Sequence, residues 1–367
     1  MVTVHVFFDK GGFFSEKAIR FIENIQPKTH YYYFQSSLDQ PNSEIKIIND
    51  KSVLLDLVIS NKINKVVFHS LHYFQFPLIK ELKKNNTKIK IAWVFWSFEY
   101  YQLPFNLKDL YATNNRKYFF RKFISVLYEN LNYIKNRITN FPIHLFKRKY
   151  YNSFKLVDEF YSFVEDDYKK IFKDNRIRYS YLPYLNIKDL EIGSENIVEK
   201  SKIMVGHSGS PLLNHIEVCN LIQLYGITTE CLFSLSYGNK KYIHDLKEKL
   251  SNNYDFHYTI LDKRLPLNEY YKTLSSVSIF FLNAYCQQGL GNVVYFLNNG
   301  TAIYLSEKST TFHFLKKKGF IIFSIEGLKS KKDIRSLNYT EVKLNKSLLN
   351  EMLNVDFVKS KWKSLIS

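Results

Sequence analysis

The residues best suited to chemistry lie in two short glycine-bearing runs, Gly206-His207-Ser208-Gly209-Ser210 and Gln287-Gln288-Gly289-Leu290-Gly291-Asn292. Glycine lets a backbone approach an oxyanion closely. Open main-chain amides at the positive end of a following helix then supply the attraction without a metal. Each run follows an apolar, strand-like stretch and precedes a helix-like one. Two such loops in one βα series predict a diphosphate site, and with it a nucleotide-activated substrate. The glycines by themselves also fit a pair of ordinary turns.

The elements that must hold these loops alternate. From Lys202 onward, Ile203–Val205, Glu230–Ser236, His257–Leu261, Val277–Asn283, Thr301–Ser306 and Phe320–Phe323 read as strands. Helical stretches at Leu212–Tyr225, Lys240–Leu250, Pro266–Ser275, Asn292–Asn299 and Thr310–Lys318 separate them. Alternation of this kind predicts an α/β fold with a mostly parallel, doubly wound sheet and its ligand at the carboxyl ends of the strands. The first half repeats the pattern more loosely, with strands predicted at Val2–Phe8, His30–Phe34, Lys65–His69, Ile89–Phe95, Glu159–Val164 and Tyr179–Leu182. A chain of 367 residues exceeds one ordinary core, and the polar stretch Asn186–Lys202 reads as a linker. The predicted organisation is therefore an N-terminal domain over 1–190, a C-terminal domain over 200–343, and a final helix over 344–367 packing back on the first domain.

Lys and Arg exceed Asp and Glu by 52 − 34 = 18, so polyanions such as nucleic acid, anionic lipid or phosphorylated substrates are the expected partners. From Arg116 to Tyr150, nine basic residues face a single acid, Glu129, while Phe119, Phe120, Phe123, Ile124, Leu127, Leu131 and Ile134 recur near helical spacing. Such a helix can lie on an anionic membrane, and it can equally pack its apolar stripe into a core with the charges solvated. No recognised nucleic-acid motif accompanies it, so within that class of polyanions nucleic acid is the least expected. Cys219, Cys231 and Cys286 are too few and too widely spaced for a disulfide framework or a metal knuckle, which suggests a reducing compartment. The start of the chain reads as a first strand, and no apolar run is long enough to span a bilayer, so any membrane contact is expected to be peripheral.

The run from Ile203 to Ser210, followed by Asn214-His215-Ile216, resembles the strand, Gly-Asn-Ser-Gly loop and helix-opening His of the TDP-N-acetylfucosamine:lipid II N-acetylfucosaminyltransferases. Ser236-Tyr237-Gly238 with Tyr242-Ile243 is similar to that family's Gly-Tyr turn and following helix. Leu265 to Leu274 with Tyr270, then Phe280-Phe281 and Gln287 to Asn292, resemble its Tyr-bearing helix, aromatic strand and Gln-Gln-Gly-Ile-Gly-Thr loop. In the first half, Phe68-His69 resembles Phe-His-Gly and Trp96-Ser97-Phe98-Glu99 resembles Trp-Gly-Ala-Asp. The resemblance implies a GT-B fold, two Rossmann-like domains facing a cleft, with the nucleotide sugar on the C-terminal domain and the acceptor on the N-terminal one. It further implies a TDP-linked acetamido-dideoxy sugar as donor, a saccharide on undecaprenyl diphosphate as acceptor, inversion at the anomeric carbon, and a place on the cytoplasmic face of the cell membrane.

An inverting transfer must remove one proton from the acceptor and stabilise charge growing on the departing diphosphate. The predicted donor-binding residues are Gly206, His207, Ser208, Gly209, Ser210, Tyr237, Arg264, Gln288, Gly289, Leu290, Gly291 and Asn292, with no metal and no cofactor. Arg264 stands where the family has Lys and is expected to neutralise phosphate, while Tyr237 can stack on the thymine ring. His207 stands where the family has Asn. Glu99, matching the acid of the Trp-x-x-acid motif, is the predicted base, with Asp9 beside Gly11-Gly12 and His69 as alternates. Here Ser-Phe replaces Gly-Ala, and Glu replaces Asp, so a different backbone geometry and reach are expected at this position. A nucleotide-sugar epimerase and a non-enzymatic polyanion-binding protein are the rival readings, although the sequence offers no clear acidic pair for an epimerase.

Overall fold

A computed structural model of the chain describes residues 2–8, 13–34, 45–48, 50–103, 106–119, 122, 152–172, 176–190 and 199–367. Asp9 with Gly11-Gly12, most of the basic 116–150 stretch and the middle of the 186–202 linker lie outside the described residues. These residues fall into two compact units, one drawn from 1–100, 137–186 and 354–367, the other from 101–136 and 187–353.

The first unit is built on a parallel sheet of β1 (Thr3–Phe7), β2 (Tyr31–Phe34), β3 (Lys46–Ile48), β4 (Lys65–His69), β5 (Lys90–Val94), β6 (Glu159–Ser162) and β7 (Arg178–Tyr181), in the order β3-β2-β1-β4-β5-β6-β7. Its inner strands read as near-continuous apolar runs because helices cover both faces, and Val4, Val66, Ile91 and Trp93 are fully buried. The second unit carries β8 (Lys202–Val205), β9 (Cys231–Ser234), β10 (Tyr258–Leu261), β11 (Val277–Leu282), β12 (Ala302–Leu305) and β13 (Phe323–Ser324), all parallel, in the order β10-β9-β8-β11-β12-β13. Strand order reverses between β1 and β4 in one sheet and between β8 and β11 in the other. Such a switch point opens a crevice at the carboxyl ends, where ligands of doubly wound sheets bind. Both glycine loops follow the two strands that flank the second switch point.

Three departures from the sequence reading have local causes. The helix predicted over 212–225 is split into a 3₁₀ turn at Pro211–Leu213 and an α-helix at His215–Leu224, because Asn214 adopts a left-handed φ of 48°. The single helix predicted from Leu344 is two, Tyr339–Leu353 and Val355–Ile366, divided at Asn354, whose carboxamide accepts from the amides of Asp356 and Phe357. Only the second of these belongs to the first unit, where Val358, Trp362, Leu365 and Ile366 are fully buried and the Trp362 indole donates to the Pro183 carbonyl at 2.9 Å. Finally, the described residues between 101 and 119, counted with the first half by sequence, belong to the second unit. The Ala112 amide donates to Asn214 Oδ1 at 2.9 Å, Asn115 donates to the Pro211 carbonyl at 3.0 Å, and Tyr118 donates to Asp245 at 2.5 Å.

Candidate functional site

The loop after β8 departs from the sheet at Gly206, whose φ of +66° suits glycine and whose absent Cβ leaves room for the His215 imidazole, 2.3 Å from where that carbon would stand. Its amide donates to the Phe281 carbonyl at 2.9 Å, and the Gly209 amide donates to the Tyr237 carbonyl at 2.7 Å. Those two amides, among the ones proposed from sequence as phosphate donors around Gly206–Ser210, are therefore occupied. The amides of His207 and Ser208 have no main-chain acceptor among the described residues. Ser210 accepts from the Leu212 amide at 3.3 Å and so caps the turn that follows.

A second loop locks onto the first. Gly209 and Gly238 meet backbone to backbone, and a Cβ on Gly238 would lie 2.4 Å from the Gly209 carbonyl carbon. Beyond β11, Gly289 (φ +59°) opens the ten-residue helix Leu290–Asn299 with no side-chain cap. The first turn of any helix leaves its amides unpaired, so Leu290, Gly291 and Asn292 present donors at the positive end of the helix dipole. Gly291 faces open space. The helix His215–Leu224 likewise starts without a side-chain cap.

Polar side chains border this edge. Gln288 is half-buried, and Asn292 donates to the Tyr270 hydroxyl at 3.3 Å. Tyr237 is 57% exposed; desolvation raises its phenol pKa, and the Ser208 hydroxyl and the Arg264 guanidinium draw it back. Those three groups consequently sit together, with Arg264 exposed to solvent. Burial pulls His207 down to about 4 and His215 down to about 3, so both imidazoles are neutral at pH 7. His207 is thus a neutral hydrogen-bonding group rather than a cation.

In the first unit, Glu99 lies just beyond β5, 6% exposed. Its Oε1 accepts from the Trp96 amide at 2.9 Å and the Trp93 indole at 3.2 Å, while Oε2 is buried with no hydrogen-bond partner. Burial raises its pKa to about 7, opposed in part by its own backbone amide, the Trp96 amide, the Trp93 indole and the Leu71 amide. A carboxyl poised near neutrality is the state a general base requires. His69, at the end of β4, sits 3.0 Å from His5 Nδ1 and stacks on Phe7 at 4.3 Å. Burial lowers it to about 3, which makes it a weak proton acceptor inside an aromatic core.

Ser97 takes φ +85° and Ser70 takes φ +83°. Both stand where the resembled motifs have Gly, and a left-handed backbone is strained for serine where glycine would adopt it freely. Two further residues escaped the sequence reading. Asn214 accepts from Ala112 and Asn115 and donates to the carbonyls of Leu110, Leu212 and Asn283, joining the 110–115 stretch to the Pro211–Leu213 turn and to the end of β11. Its place before His215 was the only available signal. Glu326 accepts from the Ser306 hydroxyl and from the Glu307 amide at 2.9 Å beyond β12 and β13, and a lone acid after a short strand carries no sequence signal.

A surface cavity of about 420 Å³ bordered by Lys117, Lys241, Asp245 and Lys249 includes none of the residues predicted from sequence to bind the donor or to act as base. Among the described residues, no helix is long and apolar enough to cross a membrane.

The profile of one protein family, 4-alpha-L-fucosyltransferase glycosyl transferase group 56, matches residues 117–366. That span takes in both glycine loops and leaves Glu99, His69 and Asp9 outside it. No curated protein matches the chain. Among solved structures, an alpha,alpha-trehalose-phosphate synthase (UDP-forming) from Burkholderia vietnamiensis aligns with 100% of this chain and 98% of its own, at 8% identity and a TM-score of 0.62. An Anabaena protein, HepE, in complex with UDP-glucose covers 100% of this chain and 99% of its own, at 7% identity and a TM-score of 0.58. WaaG, a glycosyltransferase involved in lipopolysaccharide biosynthesis, covers 99% of this chain and 93% of its own, at 10% identity and a TM-score of 0.51. These likenesses concern the fold, two parallel-sheet α/β domains of the GT-B type.

Proposed function

Because the chain belongs to the 4-alpha-L-fucosyltransferase family, glycosyl transferase group 56, we propose that this glycosyltransferase moves an N-acetylfucosamine-like acetamido-dideoxy sugar from a TDP-sugar to a saccharide on undecaprenyl diphosphate. The anomeric centre inverts, and the product feeds surface polysaccharide synthesis. One observation carries the reading: two uncapped helix starts, at His215 and Leu290, stand beside the open amides of His207 and Ser208 at a single sheet edge. Such an edge attracts a dianionic leaving group without a metal. Support comes also from the UDP-glucose complex of the Anabaena relative in fold.

In the proposed reaction the acceptor hydroxyl oxygen bonds to the anomeric carbon, the bond from that carbon to the diphosphate oxygen breaks, and TDP departs. Glu99 takes the hydroxyl proton. The amides of His207, Ser208 and Leu290 to Asn292, the Gln288 carboxamide and the Arg264 guanidinium receive the diphosphate, and Tyr237 stacks on the thymine. Asp9 is the alternate base. The N-terminal domain binds the acceptor, and the basic 116–150 stretch holds the enzyme against the anionic inner face of the membrane, where the lipid-linked acceptor resides.

Thermal stabilisation by TDP, UDP, GDP and their sugars tests the donor assignment, since a bound ligand raises apparent stability with its concentration over Kd. TDP is expected to give the largest shift, and Gly289→Val to abolish it. A larger shift from another nucleotide overturns the donor, and an unchanged shift in the variant overturns the loop. Product analysis with a lipid-linked acceptor separates transfer from epimerisation: release of only an epimer or free sugar ends the transferase reading.

A further inference from the structure

At the carboxyl edge of the second sheet, one cation is held by an aromatic ring instead of a carboxylate. Strands β11 and β12 end in register, Leu282 opposite Leu305, so the loops that follow them leave the sheet side by side. The first loop carries Tyr285 and then the 287–292 run; the second is Ser306-Glu307-Lys308-Ser309. Ser309 fastens the two together, its hydroxyl donating to the Cys286 carbonyl at 3.3 Å, and it caps the helix Thr310–Lys317 by accepting from the Thr311 amide. Lys308 lies across that seam, with Nζ 4.1 Å from the centre of the Tyr285 ring.

Several other lysines meet an acid: Lys65 pairs with Glu159, Lys83 with Asp158, Lys117 with Asp245 and Lys202 with Glu230. Among the described residues, no carboxylate pairs with Lys308. Glu326, the acid that reaches this corner, instead accepts from the Ser306 hydroxyl and, at 2.9 Å, from the Glu307 amide. A ring attracts an ammonium without cancelling its charge, so the exposed Lys308 keeps a positive charge and N–H donors for a second partner. Its loop neighbours the uncapped helix start at Leu290. Arg264, the cation assigned to phosphate from sequence, follows β10, which is three strands from β11 in the order β10-β9-β8-β11-β12. Lys308 follows the adjacent strand. Open amides and a helix dipole offer only partial charges, whereas a diphosphate ester carries whole ones, so an ammonium beside the glycine loop completes the match.

We propose that Lys308 is a phosphate-binding residue: laid over Tyr285, it donates to a phosphoryl oxygen of a diphosphate seated on the 287–292 loop. This rests on the glycosyltransferase reading and adds to it a cation that the sequence motifs do not mark. The diphosphate comes either from the nucleotide donor or from the isoprenoid carrier of the acceptor, and the same ammonium suits both.

Isothermal titration calorimetry of the full chain with TDP, UDP and GDP, and separately with farnesyl diphosphate as the isoprenoid probe, tests this on a charge series at position 308. Lys308→Arg should hold affinity within about threefold, Lys308→Gln should lose about ten- to hundredfold, and Lys308→Glu should lose more. Tyr285→Phe keeps the ring and should bind as the unaltered protein does, while Tyr285→Leu releases the ammonium and should lose about two- to fivefold. An unchanged melting temperature without ligand certifies the fold of each variant. A loss confined to the nucleotide assigns the phosphate to the donor, one confined to farnesyl diphosphate assigns it to the carrier, and a loss with both shows one seat taking either. Equal affinity for every ligand in the Gln variant overturns the proposal alone, as does an equal loss in the Arg and Gln variants, which marks a steric role. If the unaltered protein binds none of the nucleotides, the glycosyltransferase reading falls and the proposal with it.

Discussion

The His207 imidazole fills the space that a side chain at Gly289 would need: a Cβ there would stand 2.7 Å from its Nδ1. The two glycine loops thus interlock through a side chain of one and the missing side chain of the other. Gly289→Ala should cost about 2 to 4 kcal/mol, from left-handed strain and overpacking together. In a His207→Ala background the same change should cost about 1 to 2 kcal/mol, because only the strain remains. Chemical denaturation of the four proteins measures the coupling, and additive losses would refute it.

Asn214 is fully buried, and its side chain bonds to five other residues. Asn214→Ala should destabilise by roughly 3 kcal/mol, since a left-handed alanine is strained and several buried polar groups lose partners. Asn214→Asp keeps the shape and the acceptor but loses the donors to the Leu110, Leu212 and Asn283 carbonyls, so it should also destabilise. A loss below about 1 kcal/mol in urea titration of the alanine variant contradicts this role.

Glu99 has a folded pKa of about 7 against an ordinary 4.5. Its raised value means that the folded state holds the proton more tightly, so its stabilising contribution is complete below pH 4.5 and is lost as pH rises through about 7. The loss amounts to up to roughly 3 kcal/mol. Glu99→Gln should therefore melt higher than the unaltered protein at pH 8 and nearly the same at pH 4. Transfer should rise with pH along a limb centred near 7, and the variant should lose about a hundred- to ten-thousandfold in kcat. A pH-independent rate, or an active Gln variant, removes Glu99 from the chemistry.

His207, His215 and His69 titrate the other way. Burial depresses them to about 4, 3 and 3, so the stability they contribute is present above pH 6.5 and is lost as pH falls through the depressed values. His207→Asn, which installs the residue of the resembled family, should flatten the fall in melting temperature between pH 6.5 and 4. Superimposable pH curves for the two proteins would show that His207 is not held neutral.

The chain's own order of residues determined the alternation of strands and helices, the two sheets, the strand ends that carry the glycine loops, and the run from Ile203 to Asn292 that marks the family. These are legible because strand and helix periodicity, glycine and a local motif all lie within a few residues of one another. Tertiary structure decided which amides remain open. Gly206 and Gly209 look like phosphate contacts in sequence, but their amides are taken by Phe281 and Tyr237, partners 75 and 28 positions away that come near only when the sheet closes. The neutrality of His207, the poised Glu99, the left-handed serines at 70 and 97, and the transfer of the 101–119 stretch to the second unit have the same origin. Each depends on burial or on hydrogen bonds between distant segments, and desolvation is a property of the packed fold that no local run of residues encodes.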